Sequence, residues 1–140
     1  MSRINLGRVI TGGLLAGLVL NVGEFVLNEV VFKKQMEEMF SRLRITPPGA
    51  NFIAIAIAIT FLLGIFLVWV YAMIRPRFGA GPKTAVIAGV VGWFGIYLYS
   101  GILNGAIFGI PASWLVLGMV WGFVEYALAT IAGAWLYKEA

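Results

Sequence analysis

Polar positions in this chain are islands within long apolar runs. Hydropathy along the sequence predicts four helices, over about 8–32, 50–74, 84–108 and 111–137. Each is close to the roughly 20 residues that cross the hydrocarbon core of a bilayer. The connection between the last two is only "GIP", which predicts a tight antiparallel hairpin. Pro48 and Pro111 sit just ahead of their helices, where a missing N–H does no harm. The Pro, Gly and charge of "RPRFGAGPK" mark a loop between the second and third spans. Arg3 and Arg8 ahead of an apolar run look like the opening of a signal peptide. The run is too long for one and has no small-residue cleavage site, so a retained anchor helix is expected.

Between the first two spans lies "KKQMEEMFSRLR". Met36, Met39, Phe40 and Leu43 fall on one helical face, and Lys34–Glu38 and Glu38–Arg42 form i,i+4 pairs on another. This predicts a short interfacial helix over about 33–44. The expected fold is all-α, a polytopic membrane protein forming a single domain over 1–140. Four transmembrane helices form two similar helix hairpins, and the interfacial helix joins them.

The similarity of the hairpins comes from an internal repeat. An offset of 76 residues lays Gly13 on Gly89, Leu27 on Leu103, Asn28 on Asn104 and Phe32 on Phe108. "PGANF" and "PASW" open the second and fourth spans, which end in "WVY" and "WLY". Two helices separate equivalent spans, so the repeat is parallel and not inverted.

Within the spans the polar residues are aligned. At about 100° per residue, Gly13, Gly17, Asn21, Glu24 and Asn28 share one narrow sector of the first helix. The third helix carries Gly89, Trp93, Tyr97, Ser100 and Asn104, and the fourth carries Gly118, Gly122 and Glu125. The second offers Ala56, Thr60 and Gly64. The glycines Gly13, Gly17, Gly89, Gly118 and Gly122 are read as helix-packing positions, because small residues let backbones approach closely. Asn21, Glu24, Asn28, Tyr97, Ser100, Asn104 and Glu125 are read as an intramembrane polar cluster. Glu29 falls outside the stripe, near the headgroup region.

Composition strengthens the membrane reading. Of 140 residues, 61% are hydrophobic and 11% charged, against about 25% charged in ordinary soluble domains. Cys, His and Asp are all absent. No disulfide, thiolate nucleophile, haem ligand or imidazole base is available, so neither a metal nor a cofactor is expected, and the chain does not read as an enzyme. The net charge of +4 is spread over loops and termini, which reads as topology and not as a nucleic-acid footprint. One side holds Arg3, Arg8, Arg75, Arg77, Lys83 and Lys138, and the other Lys33, Lys34, Arg42 and Arg44. The richer side belongs in the cytoplasm, with both termini. Trp69, Tyr71, Trp135 and Tyr137, near span ends, read as an aromatic belt.

Two resemblances add to this picture. The four-span layout with Glu24 in the first span resembles the small multidrug resistance transporters, shorter proteins that work as dimers and export lipophilic cations. That likeness rests on helix count and Glu24; the loop helix, Glu125 and the repeat are additions here. "GRVITGGLLAGLVLNVGEFVLNEVV" is similar to the opening helix of small bacterial four-helix integral membrane proteins of unknown function. This second resemblance implies a multi-pass protein of the bacterial inner membrane and no particular activity.

A charged residue at mid-bilayer costs roughly 3 kcal/mol or more, so Glu24 and Glu125 need a reason. No Lys or Arg lies deep in any span to pair with them. One reading is a hydrogen-bonded clasp between helices, in a non-catalytic protein of accessory or assembly type. Its partners would be the lipid bilayer and either a homo-oligomer or a larger membrane complex. The alternative is a proton-coupled small-molecule transporter or channel that uses the two acids, its ligand unspecified.

Overall fold

The computed structural model describes residues 3–139. It is all-α, with no strand among the described residues. Four helices, α1 (Leu6–Val31), α3 (Ala50–Phe78), α4 (Pro82–Phe108) and α5 (Ala112–Leu136), are long and apolar enough to cross a membrane. A fifth, α2 (Lys33–Leu43), comes directly after α1.

Local chemistry sets the boundaries. Asn5 caps α1 by accepting from the Arg8 N–H at 3.2 Å. Arg44 ends α2 in the left-handed region at φ 54°, and Gly109 ends α4 at φ 62°, where a side chain would be strained. Pro82 opens α4 and Pro111 caps α5. Pro76, expected in a loop, lies instead inside the last turn of α3. Pro76 has no N–H to give the Ala72 carbonyl, but Gly79 N donates to Arg75 O at 2.8 Å and closes the turn beyond it.

Glycines set the packing. A Cβ on Gly64 of α3 would overlap the backbone of Gly13 and Gly17 on α1, and one on Gly12 would overlap Gly133 O of α5. Gly89 of α4 meets the backbone of Tyr126 and Ala127 on α5. Backbones in direct contact leave Ala16, Leu20, Leu67, Val68, Ala85, Ala88 and Ala129 fully enclosed. This packed half carries the chain ends and the α3–α4 loop. Tyr71 and Tyr137 stack edge-on there, 5.9 Å apart. Their hydroxyls accept from Gly81 N at 3.1 Å and Asn5 N at 3.4 Å. These two tyrosines, expected in an interfacial belt, are therefore core residues; Trp69 and Trp135 do face outward.

The other half is open. Every residue from Ala50 to Ile59 is exposed except Ala56, as is most of α4 beyond Tyr99. α2 lies across this end, tied to α4 by Arg42 Nη2, which donates to Phe108 O at 3.0 Å. The expected Lys34–Glu38 and Glu38–Arg42 pairs do not form; Arg75–Glu139, 3.5 Å apart in the packed half, is the ion pair among the described residues.

π-helical turns interrupt α1 at Leu27–Val31 and α4 at Trp93–Leu98. The two do not coincide under the 76-residue offset, which pairs Leu27–Val31 with 103–107, ordinary α-helix.

Gly64→Ala should destabilise the fold by about 1–3 kcal/mol, the usual cost of overpacking, whereas Gly118→Ala should be neutral or slightly stabilising. Only Phe32 Cε2, at 4.0 Å, comes near a Cβ on Gly118. Thermal melts of the two variants in one detergent check the contrast, and equal losses would contradict it.

Candidate functional site: a carboxyl pair below two cavities

Glu24 and Glu125 reach one place from α1 and α5. Gly23 makes room for the meeting: a Cβ there would stand 2.7 Å from Glu125 Cδ and 2.9 Å from Oε2. One turn earlier on α5, the Trp121 indole donates to Gly23 O at 3.2 Å and fixes the height of α5 against α1. The two carboxyls face each other, and the Tyr97 phenol of α4 stands beside Glu24. The Tyr97 ring lies over Gly122 and meets Tyr126 edge-on at 5.5 Å.

The two acids are satisfied unequally. Asn28 Nδ2 donates to Glu24 O at 2.8 Å and to Glu24 Oε2 at 3.3 Å. Glu125 is only 5% exposed, and its carboxyl is enclosed between the Glu24 carboxyl and the Trp121 side chain.

Asn21 and Ser100 of the predicted cluster, and Thr60 outside it, do not bond across helices. Asn21 Nδ2 donates to Gly17 O at 2.9 Å and Thr60 Oγ1 to Ala56 O at 2.6 Å, while Ser100 Oγ donates to Ile96 O. Each satisfies itself on the carbonyl four residues earlier in its own helix. Two indoles do bond from helix to helix: Trp121 to Gly23, and Trp93 Nε1 to Met119 O at 3.0 Å.

Two cavities flank the C-terminal part of α1 and share Glu24, Asn28, Met36 and Tyr97. The smaller, about 340 Å³, adds Ser100 and Asn104 with Trp114 and Met119. The larger, about 800 Å³, reaches Glu125 and Tyr126 at its floor and Phe52 and Ile53 on its wall. α2 forms part of both walls. Of the predicted cluster, Glu24, Asn28, Tyr97, Ser100, Asn104 and Glu125 thus line cavities, while Asn21 lines neither. Of the predicted packing glycines, Gly13, Gly17 and Gly89 meet another helix and Gly122 seats Tyr97. Gly118 borders the smaller cavity and contacts no helix backbone, because the bundle has already splayed at that level.

Gly23, Trp121 and Tyr126 were not legible as site residues. Gly23 is off the four-residue stripe, and only its place beside Glu24 marks it. Among the described residues no three of His, Cys, Asp and Glu gather as a metal site would require. No known protein family, curated protein or solved structure matches this chain.

Gly23→Ala should cost about 1–3 kcal/mol through its clash with the Glu125 carboxyl. Combining it with Glu125→Ala should recover most of that loss, since the obstructing group is gone. Strict additivity in the double-mutant cycle would show that the two residues are not in contact.

Proposed function

We propose that this chain is a non-catalytic, multi-pass membrane protein that works as a proton-linked carrier of a small molecule, with Glu24 and Glu125 as its proton- and ligand-handling groups. One observation carries the reading: two enclosed carboxyls facing each other beside a cavity of about 800 Å³, large enough for a small molecule. Facing carboxyls repel when both are ionised, and a proton shared between them relieves the repulsion. Displacing that proton couples ligand binding to proton release.

The accessory reading, with the polar cluster as a clasp, has less support. Asn21, Thr60 and Ser100 bond within their own helices, which leaves the Glu24 contacts with Glu125 and Tyr97 as the side-chain links available to a clasp. Cavities where a clasp would have closed the bundle favour a carrier. Assembly with a second copy or a larger complex is compatible with it.

Membrane insertion is part of the proposal. Ile107 is 73% exposed and Ile55 67%, and apolar surface on this scale calls for lipid. The packed half gathers the six-cation side, with Arg75 beside the C-terminal Glu139. By the positive-inside rule that half faces the cytoplasm with both termini, in a bacterial inner membrane as the resemblance of α1 suggests, and the open half faces outward. The parallel duplication of two hairpins belongs to the same reading.

The chain lacks Cys, so single cysteines report topology directly. Lys138→Cys should be labelled only from the cytoplasmic side and Ser41→Cys only from the other; labelling of both from one side would sink this topology. For the carrier activity, vesicles holding the protein and a pH gradient are exposed to a panel of small organic solutes. At least one class should dissipate the gradient through the wild type, and not through Glu24→Gln or Glu125→Gln variants with normal melting curves. A panel without effect, or variants that respond like the wild type, would refute proton-linked transport.

A further inference from the structure

We infer that the packed half of the bundle binds one anionic phospholipid, with an acyl chain in a groove beside the α3–α4 loop and the phosphate held by Lys83 and Lys138. This rests on membrane insertion as proposed above and is independent of the carrier activity.

The groove is the first argument. A third cavity, of about 530 Å³, lies against the α3–α4 loop and the end of α5, and it shares no lining residue with the two beside the acids. Its walls are small and apolar: Gly81, Ala85, Ala132 and Ala134. Tyr71, which is buried, and Trp135, 79% exposed, complete them. Small side chains leave a slot that the helices do not fill. The slot is preformed, because Gly81 N donates to the Tyr71 hydroxyl at 3.1 Å and Thr84 Oγ1 donates to Gly79 O at 2.6 Å, fixing the loop on its helices. An apolar slot with an exposed indole near a span end suits an acyl chain that leads up to a headgroup.

The headgroup is set by charge. This end of the molecule carries Arg3, Arg8, Arg75, Arg77, Lys83 and Lys138 against one acid, Glu139. Glu139 is engaged by Arg75 at 3.5 Å, and the same guanidinium lies over the Tyr137 ring, 5.5 Å from its centroid. Among the described residues the other cations have no acid partner. Lys83 follows Pro82 of the groove lining, and Lys138 follows Tyr137, which meets the lining residue Tyr71 edge-on. Both lysines are exposed. Basic residues at the end of an interhelical groove are suited to an anionic headgroup.

The same charge selects among occupants. A zwitterionic lipid carries its own cation into a region that already has a surplus. A second copy in the same orientation would bring the same six cations to the same level, where they repel. An anionic phospholipid matches both the apolar slot and the charge at its end.

The test uses the full wild-type chain in a neutral detergent, titrated with lipid while native mass spectrometry counts the molecules bound. Dioleoyl phosphatidylglycerol is compared with dioleoyl phosphatidylcholine, matched in chains but not in net charge. The first phosphatidylglycerol should bind about tenfold more tightly, as expected of two lysines near a phosphate. Lys83→Gln combined with Lys138→Gln should bring the ratio towards one, and Ala132→Leu, which narrows the groove, should weaken both lipids. Equal affinity of the two lipids for the wild type overturns the inference, and so does a preference that survives loss of both lysines. Inorganic phosphate in large excess should not displace the lipid; displacement would mark a free-anion site and overturn it too. Disulfide-linked dimers of Trp135→Cys would put a second copy on this face, with the same consequence. Labelling of Lys138→Cys and Ser41→Cys reports separately whether membrane insertion survives.

Discussion

Backbone contact through glycine is the constraint on which the rest of this molecule depends. Gly64 admits Gly13 and Gly17, Gly12 admits Gly133, and Gly89 admits the α5 backbone. All of these contacts lie in the half that holds the chain termini. Helices drawn together at one end by small residues stand further apart at the other, where the cavities open. The splay is a consequence of where the small residues are, and the cavities are a consequence of the splay.

The acid pair sits at the level where close packing gives way to open space. Lower in the bundle a carboxyl would find no room among Ala16, Ala88 and Ala129, all fully buried. Higher up, Glu29 meets the surroundings freely. Only at the junction can Glu125 be enclosed by its neighbours and still look into a cavity. The π turns lie at the same level, beginning three residues after Glu24 in α1 and including Tyr97 in α4. An inserted residue rotates the remainder of its helix about the axis, and such turns recur at functional sites. Here they separate the face that packs from the face that lines a cavity.

The α2 helix completes the arrangement. Its apolar face, with Met36, Met39 and Phe40, turns towards the cavities. Arg42 reaches across to the end of α4 rather than to Glu38 on its own helix. An exposed i,i+4 ion pair contributes only a few tenths of a kcal/mol, so an unsatisfied carbonyl at a helix end, concentrated by the C-terminal dipole of α4, competes for the guanidinium easily.

Much of this architecture is legible in the order of residues alone. Four apolar helices long enough to cross a membrane, α2 and the inward acids Glu24 and Glu125 come from hydropathy, period and the cost of charge in an apolar run, because these depend on residues near one another in the chain. Pro76 inside α3 was misread because Gly79 N closes the turn on Arg75 O beyond it, and the inward Tyr71 and Tyr137 because they meet each other across the bundle. Tertiary structure alone decided that Asn21, Thr60 and Ser100 bond within their own helices, that Gly23 seats Glu125, and that two cavities flank the acid pair. Periodicity fixes which face of a helix a residue occupies. How far away the next helix stands on that face is set by small residues brought together from separate parts of the chain, and that distance separates a hydrogen bond from a binding site.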